Sequence, residues 1–224
     1  MRNFQRLAAA GAMVALAVAV AACGGPAPIA GAPSAAPATS AAPTPGPQAN
    51  GVTQPTDVFG PACNELPQAG TPGSAVRVAS LPAFAAIAAN PLLKTMTTAM
   101  QKAGLVDTLN QGKEITVFAV YDRGFTNFQQ GLGQDRFNQL MGDQNALADV
   151  LKYQVIVKRY DRAGLVSAGT VTTLQGGSLR IRDDRDTMNI TDNTGTTAHV
   201  LCGNIPTANA TLFLIDNVLQ PKNP

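Results

Sequence analysis

Apolar residues are spread along this chain in three different ways. From Leu7 to Val20 they form one uncharged run, shorter than the ~20 residues a permanent membrane-spanning helix needs. From Gly24 to Thr56 large apolar side chains are scarce, no residue is charged, and eight of the 33 positions are proline. Such a stretch cannot bury enough surface to offset the entropy of ordering, so residues 23–56 are expected to form a disordered stalk. Beyond Asp57 the pattern becomes periodic. Ser80 is expected to cap a helix through Leu81, Phe84 and Ile87, with Pro82 tolerated in its first turn. Asn90-Pro91 breaks it, and Leu92, Leu93, Met96, Met100 and Ala103 then recur at helical spacing up to a stop at Gly104. Glu114 to Val120 reads as a buried strand followed by a turn at Tyr121 to Gly124. Short helices fit Arg136–Met141 and Asn145–Leu151, and Tyr153 to Val157 is rich in β-formers. From Thr170 strands alternate with turns, the candidates being Leu179–Arg182, Thr187–Ile190, His199–Cys202 and Thr211–Ile215. Helices first and strands afterwards predict a single α+β domain over residues 57–221.

The first apolar run acquires a meaning from its flanks. Arg2 and Arg6 precede it, and Val20-Ala21-Ala22-Cys23-Gly24 closes it. A positive start, a run of this length and small residues at the end describe a signal peptide over residues 1–22. The aliphatic-small-small-cysteine ending resembles the bacterial lipobox, in which the cysteine sulfur accepts a diacylglycerol. Cys23 is therefore the expected lipid attachment site, and two acyl chains make a stable membrane anchor where one is marginal. The predicted place is the outer face of the bacterial cytoplasmic membrane or the cell wall, with part of the protein shed. A flexible stalk of this length spans ~30 Å on average and ~100 Å in extended polyproline geometry. Thr39, Ser40 and Thr44 lie among its prolines. They are the candidate O-glycosylation sites, with a bare linker as the alternative.

Charge narrows the partners. Lys and Arg number 16 against 14 Asp and Glu; two of the basic residues fall in the leader, so the mature chain is balanced and has no field to gather nucleic acid. Cys63 and Cys202 remain once Cys23 is assigned, and an even pair in an exported protein is expected to form a disulfide. Neither belongs to a CxxC motif. His199 is the sole histidine, without a ligand cluster around it, so no metal and no cofactor are expected. Asp183-Asp184-Arg185-Asp186 lacks the spaced oxygens and glycine of a calcium loop and reads as a solvated hairpin tip. Gly131-x-Gly133 lacks the rest of a phosphate loop. Nothing points to an enzyme.

Three segments in order carry a resemblance. Ile115 to Phe125 resembles the first signature of fasciclin domains, T-V-F-A-P-T-D-x-A-F. Leu151 to Ile156 resembles their central L-x-Y-H-V segment, and Thr207 to Pro221 their closing N-G/A-x-I-x-x-I-D-x-V-L-x-P. With lipobox, stalk and cysteine pair, the chain resembles the mycobacterial surface fasciclin lipoprotein antigens. Val120 and Tyr121 stand where the family has Pro and Thr, and Gln154 where it has histidine. The resemblance implies a β-wedge or sandwich with a helical cluster packed beside it, and adhesion or protein interaction rather than catalysis. The partner would be a host protein, an envelope protein or a polysaccharide, besides the membrane itself. Asp122 and Asp216 are expected to accept backbone N–H bonds at turns. A second functional reading is capture of a small apolar or lipid ligand between the helices around Phe84 to Met100 and the sheet.

Overall fold

The computed structural model describes residues 51–184 and 187–222. Cys23, Thr39, Ser40 and Thr44 lie outside these residues, as do Arg185 and Asp186 of the charged hairpin tip. Eight helices and seven strands are formed among the described residues: α1 (Ala75–Val78), α2 (Ala83–Ala89), α3 (Lys94–Lys102), α4 (Val106–Gln111), β1 (Ile115–Val120), α5 (Asp122–Leu132), α6 (Gln134–Gly142), α7 (Gln144–Lys152), β2 (Val155–Ile156), α8 (Arg162–Ala168), β3 (Thr170–Thr172), β4 (Ser178–Asp184), β5 (Thr187–Thr191), β6 (Thr197–Pro206) and β7 (Ala210–Ile215). A single 3-10 turn, Cys63–Glu65, precedes them. The architecture is α+β, as expected.

Helix boundaries follow capping chemistry, and several caps come from far away in sequence. The expected Ser80 cap is not used: α2 starts at Ala83 after extended Pro82, and no local side chain caps it. The Ala83 N–H donates instead to Asn209 Oδ1 at 2.8 Å. The same Asn209 donates through Nδ2 to the carbonyls of Leu109 and Gly112 at 2.8 and 2.6 Å, so one side chain serves the start of α2 and the end of α4. Helix α3 ends as predicted, with Gly104 at φ 68° and the Leu105 N–H returning to Met100 O at 3.0 Å. Helix α7 is capped locally, Asp143 Oδ1 accepting from the N–H groups of Asn145 and Ala146. The predicted turn at Tyr121 to Gly124 is instead the entrance to α5. Gly124 is there for a close approach: a Cβ on it would stand 2.8 Å from the Asp216 carbonyl oxygen.

The strands form one sheet in the order β2-β1-β7-β6-β5-β4-β3, with β1 and β7 parallel and every other pair antiparallel. Register shifts within β6 bend it. Thr197 to His199 pair with β5, while Val200 to Pro206 pair with β7, so this strand belongs to both halves of a wedge. An isolated bridge between Ile156 and Thr173, with the Leu174 N–H on Val155 O, brings the two edges together. Every residue of β1 and β7 is buried, whereas β4 and β5 alternate buried with exposed, as befits a parallel pair covered on both faces beside a one-sided meander.

The core runs from helices to sheet through Ile87, Leu93, Met96, Met100, Phe118 and Phe213, none of which exposes any surface. These include the helical side chains expected to face an apolar ligand, and they are packed instead. Residues 51–56, assigned by composition to the stalk, also belong to the folded body. Gly51 and Thr53 are buried, and the Gly51 carbonyl accepts from Thr211 Oγ1 at 2.9 Å. That hydroxyl points from a fully buried strand and needs an acceptor, which is why a segment of weak composition is held there.

Candidate functional site

Strands β1 and β7 run in parallel and end side by side, Val120 opposite Ile215. The next residues, Tyr121 and Asp216, therefore emerge together at the carboxyl ends of the parallel pair, where α5 begins. A ring and several charged groups gather in a shallow depression of about 270 Å3, with Glu65, Tyr121, Arg123, Asn127 and Asp216 in its lining. The Tyr121 hydroxyl donates to Glu65 Oε2 at 2.8 Å. That hydrogen bond, followed by desolvation, raises the phenol above its ordinary pKa. The Arg123 guanidinium lies 6.0 Å from the centre of the same ring. Asp216 binds His199 twice, taking its backbone N–H on Oδ1 at 2.7 Å and meeting its Nδ1 with Oδ2 at 2.9 Å. Both side chains of that pair are well exposed, at 51% and 36%; solvent screening leaves such a pair worth little for stability, so its polar atoms serve chiefly to shape the surface.

Glu65 reaches Tyr121 because of the cysteines. Cys63 and Cys202 form a disulfide across 139 positions, with Cα atoms 4.8 Å apart. It joins the turn carrying Glu65 to β6, where the Ala62 N–H also donates to Leu201 O at 3.0 Å. Thus the expected cysteine pair is present, and one wall of the depression hangs from it.

Other candidate residues are dispersed. Asp122 faces away from the depression, its Oδ1 accepting the Thr95 N–H at the start of α3 at 2.7 Å. Asp122 and Asp216 do accept backbone N–H groups as expected, but from partners remote in sequence rather than within turns. Asp183 is held by Arg162, whose Nε and Nη2 donate at 3.0 and 2.8 Å; the bond to this carboxylate raises the guanidinium pKa. Tyr153 of the central segment is completely buried, with its hydroxyl on Ser178 O at 2.8 Å, so it offers nothing to an external partner. Gln154, in the place of the family's histidine, is buried too and donates to Val150 O and Leu219 O. Among the described residues no group of three or more His, Cys, Asp or Glu side chains is arranged to hold a metal ion.

Sequence reasoning did not find Tyr121, Arg123 and Glu65 as a cluster. A signal existed: Tyr121 is one of the departures from the first signature, and it puts an aromatic ring on this surface. Arg159 was also missed. It is 8% exposed, and donates to the carbonyls of Thr207 and Ala210 and to Thr211 Oγ1. Burial lowers its pKa, and its partners lie 48 to 52 positions away, so its role is to pin the β6–β7 connection.

Comparison with known proteins accords with this geometry. The fasciclin domain model matches residues 91–221. The chain is 34% identical over 222 residues to the cell surface glycolipoprotein MPB83 of Mycobacterium bovis, covering 96% of this chain and 95% of the relative. It is 33% identical over 172 residues to the immunogenic protein MPB70 of the same species, covering 74% of this chain and 83% of that one. A solved FAS1 domain pair from the insect cell adhesion molecule fasciclin I superposes with a TM-score of 0.55 at 14% identity, covering 62% of this chain and 50% of the other. That last likeness concerns the fold alone.

Proposed function

Because this chain belongs to the fasciclin domain family, we propose that it is a non-catalytic adhesion or protein-interaction module of the bacterial cell surface. In this reading the protein is acylated at Cys23 and raised above the membrane on its proline-rich stalk. The observation that carries it is the relative named a cell surface glycolipoprotein, matched over 96% of this chain; so broad a match takes in leader, stalk and folded body together. The depression around Tyr121 is the proposed contact face for a host or envelope protein or polysaccharide. A tyrosine ring and a guanidinium on one rigid support are groups that anchor interfaces. The fixed disulfide and the parallel strand ends mean that little conformational entropy is lost on binding.

Two measurements test this. Cys23→Ala should move the protein from the detergent phase of fractionated bacteria into the medium; continued partition into detergent refutes the anchor. Separately, Tyr121→Ala and Arg123→Ala should each weaken attachment of bacteria to host cells or of protein to isolated envelope by about tenfold or more. Unchanged attachment by both variants, with unchanged thermal stability, refutes the contact face.

A further inference from the structure

A second concavity lies among α5, α6 and α7, with a volume of about 240 Å3 and Phe128, Leu132, Leu140, Ala146 and Val150 in its lining. Helix α6 forms one wall, yet not one of its residues is buried. Its apolar side chains Phe137, Leu140 and Met141 share one face and are only half covered, Phe137 meeting Phe128 edge-on at 6.2 Å between ring centres. Arg136, Gln139, Asp143 and Gln220 supply the polar part of the lining.

The charges there are not equivalent. Asp143 is already committed: its Oδ1 takes two backbone N–H groups, and its carboxylate sits at the positive end of α7. The Arg136 side chain has no ion pair and no hydrogen bond among the described residues. The uncompensated charge beside the apolar cleft is therefore positive. Size restricts the occupant further. Small-molecule sites run from about 300 to 1,000 Å3, so this cleft, slightly below that range, takes one short chain and excludes a diacyl lipid.

We propose that this cleft binds a single-chain carboxylate amphiphile, a medium-chain fatty acid whose tail lies along Phe128, Leu132 and Leu140 and whose carboxylate pairs with Arg136. The site shares no residue with the face around Tyr121, so it stands or falls independently of the adhesive reading. The probe is sodium dodecanoate titrated into the full chain by calorimetry below its micellar concentration. One molecule should bind per chain, with amide shifts confined to α5, α6 and α7 in NMR spectra. Because Arg136 is exposed, Arg136→Gln should weaken binding only about fivefold. Leu140→Gln should weaken it more, since it puts an amide along the tail. Leu140 is half exposed, so thermal stability should hold in both variants and exclude misfolding as the cause. Dodecanol should bind less tightly than dodecanoate to the wild type, and as tightly as dodecanoate to Arg136→Gln. No saturation below millimolar dodecanoate, shifts outside the three helices, or equal binding of alcohol and acid by the wild type would each overturn the proposal.

Discussion

Two concavities among the described residues have similar volume and opposite construction. The depression around Tyr121 lies over the ends of two fully buried strands, and one wall is tied down by the Cys63–Cys202 disulfide. Tyr121 and Asp216 there hold protein partners at 2.7 to 2.9 Å. The cleft among α5, α6 and α7 is bounded by a helix with no buried residue and contains an arginine whose side chain has no partner among the described residues. The difference teaches where rigidity comes from in this fold. Long-range covalent and hydrogen-bonded ties organise the strand ends, while α6 on the helical flank is held by half-exposed apolar contacts and by short-range hydrogen bonds such as those linking Gln129, Gln134 and Asn138. Regions of the second kind open locally at low cost.

The largest test of that contrast is removal of the disulfide. Replacing Cys63 and Cys202 together by Ala should lower unfolding stability by about 5 kcal/mol, the loop-entropy value for so long a closure. It should also free Glu65 from Tyr121. Denaturant titration measures the first effect and the Tyr121 ring signals in NMR the second. An intact Tyr121 environment in the double variant would show that the disulfide does not organise the depression.

Next in size is Asn209→Ala, which strips one helix start and one helix end of their partners. It should cost about 2 to 3 kcal/mol, or roughly 4 to 12 °C in midpoint for a domain of this size. Phe137→Ala on α6 is the matching change on the loose flank. It should cost about 1 kcal/mol or less, well below the ~3–5 kcal/mol of a core phenylalanine such as Phe118. Equal losses at Asn209 and Phe137 in thermal melts would erase the distinction drawn between the two regions.

The smallest effect is expected at alkaline pH. Burial raises Tyr153 above 10.0, and the bond to Glu65 raises Tyr121 in the same direction. A phenol whose folded pKa exceeds its unfolded value contributes stability that is complete below about pH 10 and is lost as pH climbs through the folded value. Stability should therefore decline above pH 10, and Tyr153→Phe should flatten that decline more than Tyr121→Phe. A slope equal to that of the wild type in both variants would assign the decline to other groups.

Much of the fold is legible in the residues themselves. The apolar run Ile115 to Val120, the helical spacing of Met96 and Met100, and the stop at Gly104 all occur where their patterns placed them. Local physics suffices there: a run buried on both faces, a repeat matching the turn of a helix, a residue free to adopt positive φ. Elsewhere local patterns mislead. Tyr121 to Gly124 has turn-forming residues, but its glycine answers to the Asp216 backbone lying against it. Helix α8 offers Leu165 as its sole buried residue, too few for any period to register. Residues 51–56 have linker composition and are nonetheless retained by Thr211.

Composition, hydrophobic period and cysteine count by themselves determined the α+β class, helices α2, α3, α6 and α7 with most of the strands, and the pair of cysteines available to join. Tertiary structure alone decided what Asn209, Asp122 and Arg159 do, and that Glu65, Tyr121 and Arg123 share a surface. The reason is one of range: periodicity reports forces between residues three or four positions apart, whereas hydrogen bonds spanning up to 160 positions arise only when the wedge closes and brings their donors and acceptors together.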